Sequence, residues 1–399
     1  MRKPHVVYWQ NIPSPHMVAR FNALTGRGAI AFEAWFNAER EPDRSWDIDV
    51  RAWAFRARFI PERSYLGRQW RAPFALGVLG ARAAASRTAL RVLPNYDAWS
   101  ERAWWKEAGK HVLFRAVDGA KSPGPDGARL ADRYGLPVAR VHRVTQSIDV
   151  DHFAAACSVG PTERARRRAD LGLCGCVFLY VGRLWSGKGL DYLLDAYRLV
   201  RARHRDVSLL IVGDGVDESR YRATAQGLPD VVFTGFVQPC DLPLYYALAD
   251  ALVFPTLGDP HGLVVEEAMA ARLPVICTEA AGDIRRRLPD GRAGYIVPPA
   301  DTWAFAARML TLALDPCRRA SFGGEARRLV ADRTHERWAS DFERFVEAVL
   351  STPPRRTSAA FLAYAFGRGL LAVGPRGEPA PYVDTAGGCS PSEQRWAAR

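Results

Sequence analysis

The second half of the chain alternates short apolar runs with amphipathic stretches. Residues 177–181 form an apolar run ended by Gly182, the pattern of a strand buried on both faces. Leu190, Leu193, Leu194, Tyr197 and Val200 then recur at helical spacing. The same alternation continues: strands over 207–212, 231–234, 251–254, 274–277 and 294–297, helices over 242–249 and 262–271. Six strands with intervening helices predict a parallel, doubly wound sheet. A last helix, 336–350, places Trp338, Phe342, Phe345, Val346 and Val349 on one side.

The first half is less regular. Residues 5–9 predict a strand, and Ser14-Pro15 a helix start with serine as N-cap and proline in the first turn, followed by an apolar face over 17–24. Further strands are expected at 28–36, 112–114 and 141–144, a loop at 121–127, and an inter-domain linker at 147–153. Between these lies an arginine-rich stretch, 51–91, interleaved with Trp53, Phe55, Phe59, Tyr65, Trp70 and Phe74. From Pro353 the sequence is rich in Gly, Pro, Ala and Arg and is expected to be disordered, except for an apolar patch at 361–371 that suits one helix.

A length of 399 residues suits two domains. The expected division is 1–150, 151–352 and a tail, 353–399. No run of eighteen apolar residues is present, and the apolar run 6–9 is too short for a signal-peptide core. Seven scattered cysteines without Cys-x-x-Cys spacing fit neither a disulfide framework nor a zinc site. The expected location is therefore the reducing cytoplasm, extending to peripheral contact with the inner face of an anionic membrane through the 51–91 stretch. A net charge of +12 attracts anions of any kind, but no nucleic-acid recognition motif accompanies the arginines.

Candidate chemistry gathers at strand ends. Gly182-Arg183 closes one strand, and Lys188-Gly189 precedes a helix. Two cations beside a helix start suit a diphosphate. Asp259-Pro260-His261-Gly262-Leu263-Val264-Val265-Glu266-Glu267 leads from a strand-terminating proline into a helix. It sets one carboxylate in the loop and another more than a turn inside the helix. Such carboxylates accept hydrogen bonds from sugar and ribose hydroxyls. Each element alone also fits a solvated loop or a surface helix.

Taken in order, the motifs resemble the family 4 retaining glycosyltransferases. The match runs from Val-Gly-Arg-Leu and Lys-Gly-Leu-Asp through Leu-Ile-Val-Gly-Asp-Gly, Val-Phe-Thr-Gly-Phe-Val, Leu-Tyr-Tyr-Ala-Leu-Ala-Asp and Phe-Pro-Thr to Gly-Leu-Val-Val-Glu-Glu-Ala-Met-Ala and Leu-Pro-Val-Ile-Cys-Thr. The resemblance implies an α/β GT-B architecture, two Rossmann-like domains facing across a cleft, and a nucleoside-diphosphate sugar as donor with no cofactor and no metal. It implies that Arg183 and Lys188 hold the diphosphate and that backbone at Phe236 and Val237 meets the base. Glu267 would bind the ribose, the amides of Gly262, Leu263 and Val264 the sugar and its phosphate, and Asp259 the sugar hydroxyls. Arg183, Lys188 and Asp259 are the expected catalytic residues and Gly182 a donor contact. A C-terminal helix that packs back on the first domain is also implied. The acceptor would be a sugar or a lipid-linked molecule.

Three departures stand out. Asp259 replaces the family's usual glutamate, Arg272 its usual glycine, and Gln10-Asn11-Ile12-Pro13-Ser14-Pro15-His16 its glycine-rich first loop. The last is similar to starts among bacterial members, which makes His16 a candidate on the acceptor side, though a helix-start histidine without a role fits as well. Asp149-Val150-Asp151 has the letters of a metal motif but falls in the expected linker. An epimerase or phosphorylase-like enzyme on the same architecture, or a scaffold without activity, are the alternatives.

Overall fold

A computed structural model describes residues 3–40, 45–47, 49–59, 63–65, 68–70, 87–93 and 104–357. In the first half, β1 (His5–Gln10), β2 (Ala31–Phe36) and β3 (Arg56–Phe59) form a parallel sheet in that order, and β4 (Arg63–Tyr65) pairs antiparallel with β5 (Arg68–Trp70). A second parallel sheet comprises β6 (Ala89–Arg91), β7 (Gly119–Ser122) and β8 (Val141–Arg143).

In the second half, β9 (Cys176–Val181), β10 (Val207–Val212), β11 (Val231–Gly235), β12 (Ala251–Phe254), β13 (Val275–Thr278) and β14 (Gly294–Val297) form one parallel sheet. Its order is β11-β10-β9-β12-β13-β14. The chain therefore runs outward from β9 in one direction and from β12 in the other. Alternate residues of β9 fill two cores: Val177, Leu179 and Val181 on one face, Phe178 and Tyr180 on the other. Burial of both faces explains why these strands read as unbroken apolar runs rather than as an alternation.

The helix Pro15–Arg27 starts where expected. Ser14, however, holds it through its carbonyl, which accepts from the amides of Met17 and Val18 (2.9 Å each), and not through its hydroxyl. The final helix, His335–Ser351, buries Trp338, Phe342 and Phe345 against Met17, Phe21 and Phe36, so the chain does pack back on its first half. Each such buried aromatic stabilises by roughly 1.5–3 kcal/mol.

Four expectations in the irregular regions need correction. Residues 112–114 belong to the helix Trp104–Ala116, in which Phe114 is buried, Leu113 is half-buried against the same core and Val112 is exposed, and the Glu107–Lys110 pair bridges one turn. The expected loop 121–127 is instead the end of β7 and the start of the helix Pro125–Arg133. The expected linker holds the helix Val150–Ala154, whose Val150 and Phe153 are buried in the second-half core. Residues 353–357 dock on the first half: the Arg355 amide donates to Asp118 and its guanidinium to the carbonyls of Phe114 and Gly135. The rest of the expected tail, with the 361–371 patch, lies outside the described residues, as does much of 51–91. Within that stretch Trp53 and Phe55 stack as core, 5.1 Å apart.

Among the described residues no helix is long and apolar enough to cross a membrane. The six described cysteines are unpaired, and burial pushes the Cys176 and Cys277 thiols up to about 12.

Candidate functional site

The sheet order reverses between β9 and β12, and open parallel sheets bind ligands at such a switch point, outside the carboxyl ends of the strands. The loops after these two strands carry Gly182, Arg183 and Lys188 on one side and Asp259 and Gly262 on the other. They are tied together, since the Leu257 amide donates to the Gly187 carbonyl at 3.0 Å. Arg183 is half-buried, and its carbonyl accepts from the Tyr180 hydroxyl at 2.8 Å.

Lys188 does not stand alone. Its Nζ pairs with Asp259 Oδ2, both side chains are largely buried, and it lies 5.7 Å from the centre of the Phe254 ring. Asp259 Oδ1 accepts from the His261 amide at 2.8 Å. Burial alone would raise the Asp259 pKa, but the Lys188 ammonium and the two hydrogen bonds outweigh it and hold the carboxyl below its usual value. Asp259 is thus ionised at neutral pH, paired with Lys188.

Gly262 has φ of 72°, and a Cβ on it would lie 2.6 Å from the Phe254 ring, so only glycine fits. It opens the helix Leu263–Ala270, whose Leu263 and Val264 side chains pack on the core; the first-turn amides of a helix have no intrahelical partner. Glu267, one turn further, is buried and accepts from the Tyr246 hydroxyl at 2.7 Å. Burial, with the Glu267 charge beside it, keeps that phenol protonated. From the first half, His16 Nε2 reaches to 3.3 Å from Glu267 Oε1. His16 thus makes a contact that crosses between the halves.

Phe236 and Val237 follow β11, two strands from β9. They are half-buried, and Val237 packs on the core. The next residue, Gln238, bonds Ser45 and Asp47 of the first half at 3.0 and 3.2 Å. Asp149 is a helix cap: its side chain accepts from the His152 amide at 2.9 Å. Among the described residues no three His, Cys, Asp or Glu side chains gather as a metal site.

Sequence reasoning missed a buried cluster beneath the loop. Arg287 Nη1 stands 2.7 Å from both oxygens of Glu266, while Nη2 donates to the His261 carbonyl. Burial opposes ionisation of Glu266, but the guanidinium and His261 overcome it and hold the carboxyl well below its usual range. Burial, followed by the Arg287 charge, lowers His261 to about 4. The arginine thereby fixes the backbone that leads into Gly262. Only the adjacent acids and the Arg285-Arg286-Arg287 run hinted at it in the sequence.

Comparison with known proteins agrees with this arrangement. Residues 175–315 match the family described as Glycosyl transferases group 1. An alpha-D-kanosaminyltransferase of Streptomyces kanamyceticus is 32% identical over 230 residues, 57% of this chain and 56% of that protein. A D-inositol 3-phosphate glycosyltransferase of Thermomonospora curvata is 31% identical over 49% of this chain and 48% of its own length. The chain thus spans about half the length of the curated relatives it matches. The Anabaena protein HepE, solved with UDP and glucose, superposes with a TM-score of 0.67 at 15% identity, over 88% of this chain and 100% of that one. Sucrose-phosphate synthase from Thermosynechococcus elongatus does so at 0.64 and 19%, over the same shares. The chain has the GT-B fold, with two Rossmann-like domains, and its second half is similar to the glycosyl transferases group 1 family.

Proposed function

We propose that the protein transfers a sugar from a nucleoside-diphosphate sugar to an acceptor held by its first half, with retention of anomeric configuration. The observation that carries this is the convergence of Lys188, Asp259, the Gly262 helix start and Glu267 at the switch point of the sheet. A cation and a helix N-terminus side by side stabilise the charge that develops on a departing diphosphate. Arg183 adds a second cation, and Gly182 lets the chain pass close to the phosphates. Asp259, fixed and ionised, accepts from sugar hydroxyls. Glu267, oriented by Tyr246, accepts from the ribose, and the backbone at Phe236 and Val237 borders the base. His16 faces the same space from the acceptor side.

The relatives' names support the donor class: a kanosaminyltransferase, inositol-phosphate glycosyltransferases and a GDP-mannose-dependent mannosyltransferase. HepE was solved with UDP-glucose. The reaction proceeds without a divalent metal, the leaving charge being met by side chains and amides, and the enzyme works in the cytoplasm or on the inner face of the membrane.

The test is a transfer assay with a panel of nucleotide sugars and acceptors, the product's anomeric proton being read by NMR. Nucleotide release that requires an acceptor, an unchanged anomeric configuration and activity that survives a strong chelator are expected. An inverted product, or activity lost to chelator and restored by magnesium, contradicts the proposal.

A further inference from the structure

A cavity of about 240 Å³ lies between the two halves, and neither Lys188, Asp259 nor Glu267 lines it. One wall is the turn after β7, where the Ser122 hydroxyl donates to the Gly124 carbonyl at 2.8 Å and the helix Pro125–Arg133 begins. The other walls carry Arg143, Arg286, Arg287 and Arg333. The Arg287 charge is met by Glu266. Arg143 and Arg286 have no carboxylate partner among the described residues, and Arg333 has only Asp332, at 3.9 Å.

Asp283 is the one carboxylate on the lining, with the Asp126 side chain close beside it. Asp283 Oδ1 accepts from the Asp126 amide at 3.3 Å, across the boundary between the halves, and Oδ2 is buried without a partner. A Cβ on Gly124 would fall 2.3 Å from that carboxyl group, so the glycine is what lets an acid approach the helix start. Two more buried polar atoms on the lining lack partners: His261 Nδ1 and Arg287 Nε. His261 is 5% exposed and Arg287 7%, so solvent does not satisfy them.

An excess of arginine, a helix N-terminus and the unpartnered buried Arg287 Nε–H are the chemistry of an anion site. Asp283 Oδ2 adds something an anion alone does not explain, a buried acceptor that needs a donor. We propose that this cavity holds the anionic group, a phosphate or carboxylate, of a polyhydroxylated acceptor, with Asp283 accepting from a hydroxyl beside it. The proposal rests on the acceptor lying in the first half, as above. His261 belongs to the loop that joins Asp259 to Gly262, so an acceptor anchored here sits beside the proposed donor face. The anion comes from either a soluble sugar or polyol phosphate or a phospholipid headgroup.

The experiment titrates the full chain, first with UDP and GDP alone. It then uses inorganic phosphate and glycerol 3-phosphate with nucleotide present to fill the donor face, following the thermal midpoint. Saturable stabilisation by both phosphates is expected. In the double variant Arg143→Ser/Arg286→Ser, both of whose arginines are exposed, phosphate should bind at least about tenfold more weakly, the loss of charge-assisted contacts. Asp283→Asn removes the like charge while keeping a residue that tolerates its left-handed φ of 53°. Phosphate should bind that variant about threefold more tightly or better, a gain that misfolding does not produce. Nucleotide affinity should stay unchanged in all variants. Vesicles of phosphatidylglycerol, set against phosphatidylcholine, decide the source: retention lost in the double variant assigns a lipid-borne anion, and response to the soluble phosphates alone a soluble one. Phosphate binding that ignores the arginines, weakens in Asp283→Asn or is absent overturns the site. Phosphate binding without nucleotide binding leaves the site standing and removes the donor assignment instead.

Discussion

Removing Arg287 should be among the most damaging single substitutions in the second half. Its guanidinium contacts both oxygens of Glu266 at 2.7 Å and the His261 carbonyl, and Glu266 is only 2% exposed. Arg287→Met leaves a buried carboxylate without its counter-charge, which costs about 3–5 kcal/mol. With a melting shift of roughly 2–4 °C per kcal/mol for a unit of this size, the midpoint falls by about 10 °C. Removing both charges, as Glu266→Leu/Arg287→Met, should recover most of that loss, because the site then resembles the apolar core around Val265, Ala268 and Ile284. Urea denaturation of the two single variants and the double closes a thermodynamic cycle with an expected coupling of about 3 kcal/mol or more. The single variant should also bind nucleotide more weakly, since the loop before Gly262 loses its anchor. A loss below about 1 kcal/mol in Arg287→Met would refute the argument, because a pair worth so little behaves as a surface pair.

Other outcomes follow from the same contacts. Arg272 sits at the end of the helix Leu263–Ala270 with φ of 58°, so Arg272→Gly should stabilise by about 1 kcal/mol, read as a raised urea midpoint; no change would mean the backbone carries no strain there. His335 is half-buried with Nδ1 3.0 Å from the Ser147 hydroxyl, which itself accepts from Arg20, and desolvation followed by the Arg20 charge lowers it to about 4. The unfolded chain therefore takes up this proton below about 6.5 while the folded one does not, so stability falls from pH 6.5 to 4, by up to about 3 kcal/mol for this group. His335→Gln should flatten that slope, and an unaltered slope would contradict the assignment. Glu267→Gln should mainly raise the donor KM and Asp259→Asn should lower kcat as well; equal effects on nucleotide affinity would deny this division.

The parts of the fold that the sequence reveals are those whose burial is two-sided and local. Each strand from β9 to β14 is a compact apolar run between turn residues. The first half hides its strands because they are short and their partners distant: β7 is Gly-Ala-Lys-Ser, with no apolar signature at all. Residues 112–114 look like a strand until the helix Trp104–Ala116 is seen to bury Phe114, half-bury Leu113 and expose Val112. Contacts between the halves are equally silent. Nothing in His16 announces Glu267, and nothing in Arg287 announces Glu266, because those pairings are set by how the chain crosses itself. Arg355 is the same case, a polar residue in a proline-rich stretch whose partners lie more than two hundred positions earlier.

The central claim is that a nucleoside diphosphate binds at the loops after β9 and β12. Calorimetric titration of the wild type and of Lys188→Ala with UDP, GDP, ADP and TDP tests it most directly. At least one nucleotide should bind the wild type, and in Lys188→Ala its affinity should fall about tenfold or more, the loss of one charge-assisted contact. Binding of none of the four, or equal affinity in the variant, would contradict the account.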